Sequence, residues 1–116
     1  MVADALIISP LDAVFSALAH PARREMIRLL RDKAASVSDF LQVFDLSGPA
    51  ISKHLKVLED AGLVRVVPEK QTRLRVLNAK ALEQATDWLE EYRIFWEGSF
   101  DRLESVAREL ESEKKL

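Results

Sequence analysis

The spacing of the apolar residues changes at Gly62, and this change limits the folds that are open to the chain. Up to Ala61 the apolar residues recur every three or four positions, as they do on one face of a helix. Residues 63–67 and 73–77 alternate between apolar and polar instead, and residues 68–72 separate these two stretches. The pattern predicts a β-hairpin with a loop of about five residues. With helical spacing on both sides of it, we predict a mainly α fold that contains one small hairpin.

Four helices are predicted before the hairpin, and each is introduced by a residue or a pair that favours a helix start. Ser9, His20, Ser36 and Ser47 are the predicted N-caps, and a proline follows three of them at or near the first helical position. The predicted helix ends lie near Ala19, Asp32, Asp45 and Ala61. About three residues separate the third helix from the fourth, which is typical of a helix-turn-helix. Residues 10–77 are therefore predicted to form a winged helix-turn-helix core, within a single domain that spans residues 1–116.

A last helix is predicted over residues 79–111, and its apolar residues have a repeat of their own. They follow one another at alternating steps of three and four, a 3.5-residue period that is held for about four heptads. The repeat runs through Leu82, Ala85, Leu89, Tyr92, Trp96, Ser99, Leu103, Val106 and Leu110. Such a helix is about 50 Å long, more than a domain of this size covers alone. We predict that it pairs with a second chain, and that any bend lies at Gly98.

The aromatic residues of this last helix permit two interpretations. They are Trp88, Tyr92, Phe95, Trp96 and Phe100, and all fall within 13 positions. One interpretation is the core of a dimer interface, which such clusters commonly form. The other is an apolar pocket for a small effector molecule at that interface.

Charge is unevenly distributed along the chain and favours a nucleic-acid partner for its first part. Residues 1–80 carry 12 basic and 9 acidic side chains, whereas residues 81–116 carry 5 and 10. If the apolar residues of the fourth helix face inward, its polar and basic side chains face outward at the N-terminal end, where a recognition helix contacts base edges and phosphates. The candidate DNA-binding residues there are Ser47, Gly48, Pro49, Ser52, Lys53 and Lys56. Those of the hairpin, expected to contact phosphates, are Arg65, Lys70, Gln71, Thr72, Arg73 and Arg75.

Several functional classes are excluded by what the sequence lacks. The chain contains no cysteine and two histidines, His20 and His54. We therefore predict no sulfur-containing metal site, and a role in capping, packing or phosphate contact for each histidine. It has no glycine-rich phosphate loop, nucleophile elbow or paired catalytic carboxylates, so we predict neither an enzyme nor a cofactor. No apolar run approaches the roughly 18 residues of a membrane span, and acidic Asp4 stands where a secretory signal is basic. A cytoplasmic location is therefore expected.

Three segments together resemble the ArsR family of bacterial winged helix-turn-helix repressors. They are FSALAHPARR (residues 15–24), LSGPAISKHLKVL (46–58) and AGLV (61–64), in the order and spacing of that family. The stretch WEGSFDRLE (96–104) resembles the subgroup with a long final helix. The resemblance implies a homodimer formed by the first and last helices, a recognition helix at 47–61 and a wing at 63–77. The implied dimer interface contains Val14, Phe15, Leu89, Tyr92, Trp96, Leu103 and Val106.

The chain departs from many relatives in its sensor residues. Those relatives detect metals through a cysteine motif near the recognition helix, or through aspartate and histidine residues on the last helix. Here cysteine is absent and no histidine lies between Lys56 and Leu116. Neither type of metal site can be transferred to this chain, so the effector is left open between an organic molecule, a protein partner and none.

Two functions remain after these observations. The leading hypothesis is a homodimeric, sequence-specific repressor that binds double-stranded operator DNA without a metal. The alternative is a winged-helix protein-interaction module that dimerises through its long helix but does not recognise a DNA sequence. A lack of sequence preference in DNA binding would favour the second.

Overall fold

The computed structural model describes residues 9–114 and contains five helices and two strands over that range. The helices are α1 (Pro10–Leu18), α2 (Pro21–Asp32), α3 (Val37–Val43), α4 (Gly48–Asp60) and α5 (Ala79–Lys114). The strands are β1 (Val64–Glu69) and β2 (Thr72–Leu77), which pair in antiparallel order between α4 and α5. The predicted fold class, mainly helical with a small hairpin, is confirmed.

The helix starts follow from short side chains that satisfy free backbone N–H groups. Ser9 and Asp12 form a capping box at α1, in which the Asp12 N–H donates to Ser9 Oγ at 3.2 Å and the Ser9 N–H donates to Asp12 Oδ2 at 3.0 Å. Ser36 and Asp39 repeat the arrangement at α3. His20 caps α2, where its Nδ1 accepts from the Ala22 N–H at 3.1 Å. These predicted N-caps are confirmed.

The structure divides into two compact units, one ending at Ala85 and one beginning at Thr86. The core of the first unit contains fully buried side chains from α1 to α4 and from the approach to β1. The largest are Val14, Met26, Phe40, Ile51, Leu55, Leu58 and Leu63. The first residues of α5 belong to this unit, where Ala85 is buried and Leu82 packs against the core.

Val14 was predicted to lie at a dimer interface, but the structure places it in the core. It is 1% exposed and lies in the core of the first unit, whereas its neighbour Phe15 is 36% exposed. Successive helical residues point about 100° apart, so one can face the core while the next lies at the surface. Val14 is therefore a core residue, and Phe15 is the exposed residue of this pair.

The hairpin is tighter than the alternation pattern suggested. Its strands pair from Val64↔Leu77 to Glu69↔Thr72, so only Lys70 and Gln71 form the turn. The predicted loop of about five residues is wrong because Pro68 continues the strand. Proline is tolerated there because both strands of a two-stranded sheet are edge strands, in which an N–H group that faces away from the partner strand needs no acceptor.

The second unit consists of the remainder of α5. The helix is continuous through Gly98 and ends at Lys114, three residues beyond the predicted end near residue 111. A Cβ atom at Gly98 would have no neighbour within 4 Å, so this glycine is not required by close packing within the chain. No helix described between residues 9 and 114 is both long and apolar enough to cross a membrane.

Candidate DNA interface

The turn between α3 and α4 ends at a well-formed helix start. Ser47 is extended, and its Oγ accepts from the Ala50 N–H at 3.2 Å. Gly48 and Pro49 then open α4, and Ser47 and Pro49 are exposed to solvent. This N-terminus combines short side chains with the positive end of the helix dipole, so it suits close approach to a phosphate or a base edge.

Helix α4 is amphipathic, with its apolar residues facing inward as the sequence predicted. Ile51, Leu55 and Leu58 are completely buried, and α4 packs against α1, α2, α3 and β1. Lys53 is exposed on the opposite side, and Ser52 is exposed at the edge between the two faces. Because one face is fixed in the core, the direction of the exposed face is fixed as well.

Lys56, the most C-terminal of the predicted contacts on α4, has a carboxylate beside it. Its Nζ lies 3.1 Å from Asp60 Oδ1, and the two side chains are 71% and 65% exposed. An exposed pair of this kind contributes roughly 0–1 kcal/mol to stability. The structure thus presents Lys56 as a partly neutralised cation and Lys53, one turn earlier, as the stronger positive charge of this face.

The end of α4 directs the chain into the wing. Gly62 has φ +80°, and its N–H donates to the Glu59 carbonyl at 2.9 Å. The Leu63 N–H donates to the Leu58 carbonyl at 3.0 Å, which completes a Schellman motif. The Asn78 side-chain amide donates to the Gly62 carbonyl at 2.9 Å, so the residue before α5 holds the end of α4.

The wing residues divide into an exposed tip and two faces. Lys70, Gln71, Thr72 and Arg73 are all exposed at or beside the turn. Paired residues of an antiparallel ladder share a face, and the pairs Arg65↔Val76 and Val66↔Arg75 are adjacent. Arg65 therefore lies on the opposite face from Arg73 and Arg75, so the structure does not bring the three strand arginines together.

Arg75 is less available to DNA than the sequence analysis expected. The side chain is half-buried, and its backbone pairs with that of Ala35 through bonds of 2.7 and 3.0 Å. Its Nη1 donates to the Arg73 carbonyl at 3.2 Å, and its Nε is buried with no hydrogen-bond partner among the described residues. The reason is the bridge to Ala35, a contact between residues 40 positions apart that strand alternation cannot reveal. We exclude Arg75 from the exposed candidate set.

A cationic cluster beside α4 was not predicted as a unit. The rings of His20 and His54 lie 4.5 Å apart between centroids, and Arg23 Nη1 lies 3.4 Å from His54 Nδ1. Burial lowers the pKa of His54 below its ordinary value, and the charges of His20, Arg23 and Lys53 lower it further. The sequence indicated only that these residues are basic. It could not show that they cluster, because Arg23 and His54 are 31 positions apart.

Proteins similar to this chain are transcriptional regulators. A sequence profile described as a helix-turn-helix domain matches residues 18–67. The transcriptional repressor SdpR of Bacillus subtilis (strain 168) is 30% identical over 76 residues, which cover 66% of this chain and 84% of that protein. A crystal structure of an ArsR family transcriptional regulator aligns with a TM-score of 0.68 and 32% identity, covering 76% of this chain and 91% of that one. The chain belongs to the ArsR family.

Other solved structures support the same assignment to the ArsR family. An ArsR-like transcriptional regulator from Rhodococcus sp. RHA1 has a TM-score of 0.68 and 26% identity, covering 84% of this chain and 92% of that one. The transcriptional repressor BigR from Xylella fastidiosa has a TM-score of 0.55 and 26% identity, covering 72% of this chain and 83% of that one. The chain is thus a transcriptional regulator with a winged helix-turn-helix fold, and it belongs to a family of regulators rather than of enzymes.

The second unit of this ArsR-family regulator exposes a broad apolar face. Of the predicted interface residues on α5, Leu89, Tyr92, Trp96, Leu103 and Val106 are between 38% and 65% exposed. On a helix these positions lie within about 100° of one another. The Trp88 and Tyr92 rings are in contact, with centroids 4.9 Å apart. This stripe has the composition of a protein core, yet it faces solvent in the single chain.

No group of three or more His, Cys, Asp or Glu side chains that could hold a metal ion occurs within the described residues. Three acidic residues of α5, Glu90, Glu97 and Glu104, instead take part in ion pairs along the helix. Arg93 pairs with Glu90 at 2.8 Å, and Arg108 pairs with Glu104 at 2.6 Å. These pairs lie three or four residues apart and support the exposed side of the helix.

Proposed function

We propose that this regulator is a homodimeric repressor that recognises operator DNA with α4 of each protomer. The observation that carries the proposal is the geometry of α4. Its inner residues Ile51, Leu55 and Leu58 are fully buried, while Ser52 and Lys53 are exposed beside a helix N-terminus. Such a face fits the major groove, where side chains near the start of a helix reach base edges. The repressor SdpR, to which the chain is 30% identical, supports the repressing role.

The wing supplies a second, less selective contact. Lys70 and Arg73 are exposed at the tip, and the flexible ends of such side chains neutralise phosphates without distinguishing bases. Arg65 is exposed on the other face of the hairpin, so the two faces cannot contact the same phosphate. We assign Lys70 and Arg73 to the DNA backbone and give Arg65 the smaller contribution.

Dimerisation is supported by the exposed stripe of α5 and by Phe15. Burying apolar surface contributes about 25 cal/mol per Å², so a large uncovered stripe favours association strongly. A twofold dimer would present two copies of α4 to half-sites about 34–36 Å apart, one turn of B-DNA. This reading assigns the aromatic residues of α5 to the dimer core rather than to an effector pocket.

Repression is proposed to be independent of metal ions. The sequence has no cysteine, and its two histidines are placed at the start of α2 and on α4, where His20 caps a helix and His54 contacts Arg23. A metal site of the cysteine type is therefore unavailable. Binding in the presence of EDTA tests this part of the proposal.

Selection of bound duplexes from a random pool tests the proposed function. The full chain is used at two salt concentrations, with and without EDTA, and each recovered duplex is measured again with the variant Lys53→Ala. Arg28→Ala serves as a matched control, because it also removes one exposed cation. The expected result is an inverted repeat with one-turn spacing, insensitive to EDTA and to Arg28→Ala. Recovery of no motif, with binding lost at moderate salt, would contradict sequence-specific repression.

A protein-interaction module is the second candidate, and one observation favours it. Leu41, Val43 and Leu46 are 45%, 64% and 36% exposed on α3 and the following turn, next to the proposed DNA face. Apolar side chains at such a place suit a protein surface better than a phosphate backbone. Failure of the selection experiment would favour this function for the helix-turn-helix.

A further inference from the structure

The guanidinium of Arg23 connects three helices through its three nitrogens. Its Nε donates to the Ala17 carbonyl at 2.6 Å and its Nη2 donates to the Ser16 carbonyl at 3.2 Å, so it satisfies two carbonyls at the end of α1. Its remaining nitrogen, Nη1, lies 3.4 Å from Nδ1 of His54 on α4. Arg23 itself belongs to α2. The neighbouring Arg24 donates to the Leu18 carbonyl at 2.7 Å, which fixes the same helix end.

The contact with His54 depends on the protonation state of the imidazole. A guanidinium can only donate hydrogen bonds, so Nδ1 of His54 must carry a free lone pair to accept one. That condition holds in the neutral ring with its proton on Nε2. A second proton would bind at Nδ1, which removes the acceptor and places an imidazolium against a guanidinium. Arginine keeps its proton in proteins, so the histidine is the partner that changes.

The surroundings of His54 favour its neutral form. The titratable or charged groups that act on it within residues 9–114 are His20 at the start of α2, Arg23 on α2 and Lys53 on α4 itself, and each is a cation or can become one. Burial and these charges hold the pKa of His54 below its ordinary value. The folded chain therefore keeps the hydrogen-bond acceptor at neutral pH.

His54 lies where its contact affects the DNA-facing side of α4. It follows Lys53 directly and precedes the buried Leu55, so it stands between the exposed face and the core of the helix. The side chain is half-buried, and its ring packs at 53° against that of His20. A change at this position alters how α4 is held against α1 and α2, although His54 need not touch DNA.

We propose that Arg23 and His54 are positioning residues of the recognition helix, and that protonation of His54 in mild acid releases α4 and weakens DNA binding. This inference rests on the proposed function of α4. It predicts that acid weakens DNA binding, whereas the added positive charge alone would predict tighter binding. A protonated histidine that contacted phosphate would strengthen binding in acid, because it would neutralise one more charge.

The first experiment uses the free full-length protein and involves no DNA. The ring protons of His54 are titrated by NMR, and hydrogen-exchange protection factors are measured at pH 7.5 and 5.5. Expressing exchange as protection factors removes the intrinsic effect of pH on the exchange rate. We expect protection of the α4 amides to fall at least threefold more than that of the α3 amides, with a midpoint that follows the His54 titration.

The second experiment measures the Kd of a fluorescein-labelled duplex, carrying the selected sequence, at the same two pH values and constant ionic strength. Because the pKa of His54 lies below the ordinary histidine value, the acid-induced loss should not exceed about tenfold for each recognition helix. His54→Gln keeps a carbonyl acceptor for Arg23 but does not titrate, so the ratio of the two Kd values should stay below twofold. His20→Asn keeps a helix cap, and the acid-induced loss should persist in this variant.

Three outcomes would overturn the proposal. They are unchanged α4 protection in acid, tighter DNA binding in acid, and an acid-induced loss that survives His54→Gln or disappears in His20→Asn. If no duplex binds at either pH while α4 protection still falls with the His54 titration, the proposed function fails and the control of α4 by His54 stands. The two failures are therefore distinguishable.

Discussion

Individual side chains at the helix starts make stability depend on acid. In both capping boxes an aspartate accepts from a serine N–H, and these bonds are stronger when the carboxylate is charged. The pKa of Asp12 is lowered by the backbone N–H and then the hydroxyl of Ser9. The pKa of Asp39 is lowered in the same way by Ser36. Each bond therefore contributes more stability while its carboxylate is ionised.

Acid unfolding should reveal these caps. Because both carboxyl pKa values are lowered on folding, their contribution is complete above the unfolded value of about 3.9 and is lost as pH falls through the folded values. We expect the urea midpoint to fall between about pH 4 and 2, and Asp39→Asn to flatten this part of the curve. Asp45→Asn, which removes an exposed carboxylate from the α3–α4 turn, is the control. Equal flattening by both variants would contradict the role of the cap.

The residue at the wing tip combines strain with charge. Lys70 has φ +57°, a left-handed conformation that costs a residue with a Cβ about 1–2 kcal/mol. Glycine avoids this cost, although it loses part of the benefit through its greater freedom in the unfolded chain. Lys70→Gly should therefore retain or slightly raise stability while weakening DNA binding. Gln71→Gly, at the next position without a positive φ, should lower thermal stability; if it raises stability as much as Lys70→Gly, the strain is not located at Lys70.

At the scale of elements, the proposed function gives α4 and the wing separate roles in DNA binding. The buried face of α4 fixes the direction of Ser52 and Lys53, whereas the wing tip presents Lys70 and Arg73 beyond a two-residue turn. A rigid element can distinguish bases because its contacts have one geometry. A mobile cation contributes affinity through charge alone, so its contribution falls with salt.

Substitutions in the two elements should thus have different signatures. Lys70→Ala should weaken binding to all duplexes by a similar factor and reduce the slope of log Kd against log salt by about one per wing. Lys53→Ala should cost about 1–3 kcal/mol on the selected sequence and change the sequence preference. The measurement is Kd on the selected duplex and on single-base variants at three salt concentrations. Identical behaviour of the two variants would refute the separation of tasks.

The helices and strands could be predicted because their signals lie within a few residues of each other. Contacts between distant residues could not be predicted in this way. Ser9, His20 and Ser36 act on N–H groups two or three residues away, so their roles follow from the sequence. The alternation of apolar and polar residues stops at Val67, so it could not show that β1 continues through Pro68 to a two-residue turn. The burial of Arg75 and the contact of Arg23 with His54 depend on residues 40 and 31 positions away. No periodicity within one element contains that information.

At the scale of the whole molecule, we propose that the apolar stripe of α5 is covered by a second copy of the chain. Its aromatic and aliphatic residues are exposed beyond what a monomer usually presents, and the heptad period makes the stripe suitable for helix pairing. Val14 and Phe15 show why the sequence alone cannot define which residues form such a surface. Both are apolar members of α1, and only the folded core distinguishes the buried residue from the exposed one.

A charge within the stripe should dissociate the proposed dimer. Leu103→Asp places an unpaired carboxylate among apolar side chains, so we expect monomers at micromolar concentration in sedimentation equilibrium. Ile94→Asp is the matched control, because Ile94 is 77% exposed and lies on the opposite side of the helix from Trp96. That variant should remain dimeric. Dissociation by Ile94→Asp, or none by Leu103→Asp, would place the interface elsewhere.

The ion pair between Lys56 and Asp60 has a consequence for how the regulator finds its site in a genome. A lysine that approaches DNA normally releases a bound counterion from the phosphates, and this release drives attachment to any sequence. Asp60 already serves as the counterion of Lys56, and if α4 enters the major groove as proposed, its carboxylate would add a repelling charge near the phosphates. We expect this weaker electrostatic attraction to shorten the residence time on random DNA. The protein would then sample more positions in a given time, and long residence would depend on base contacts from α4.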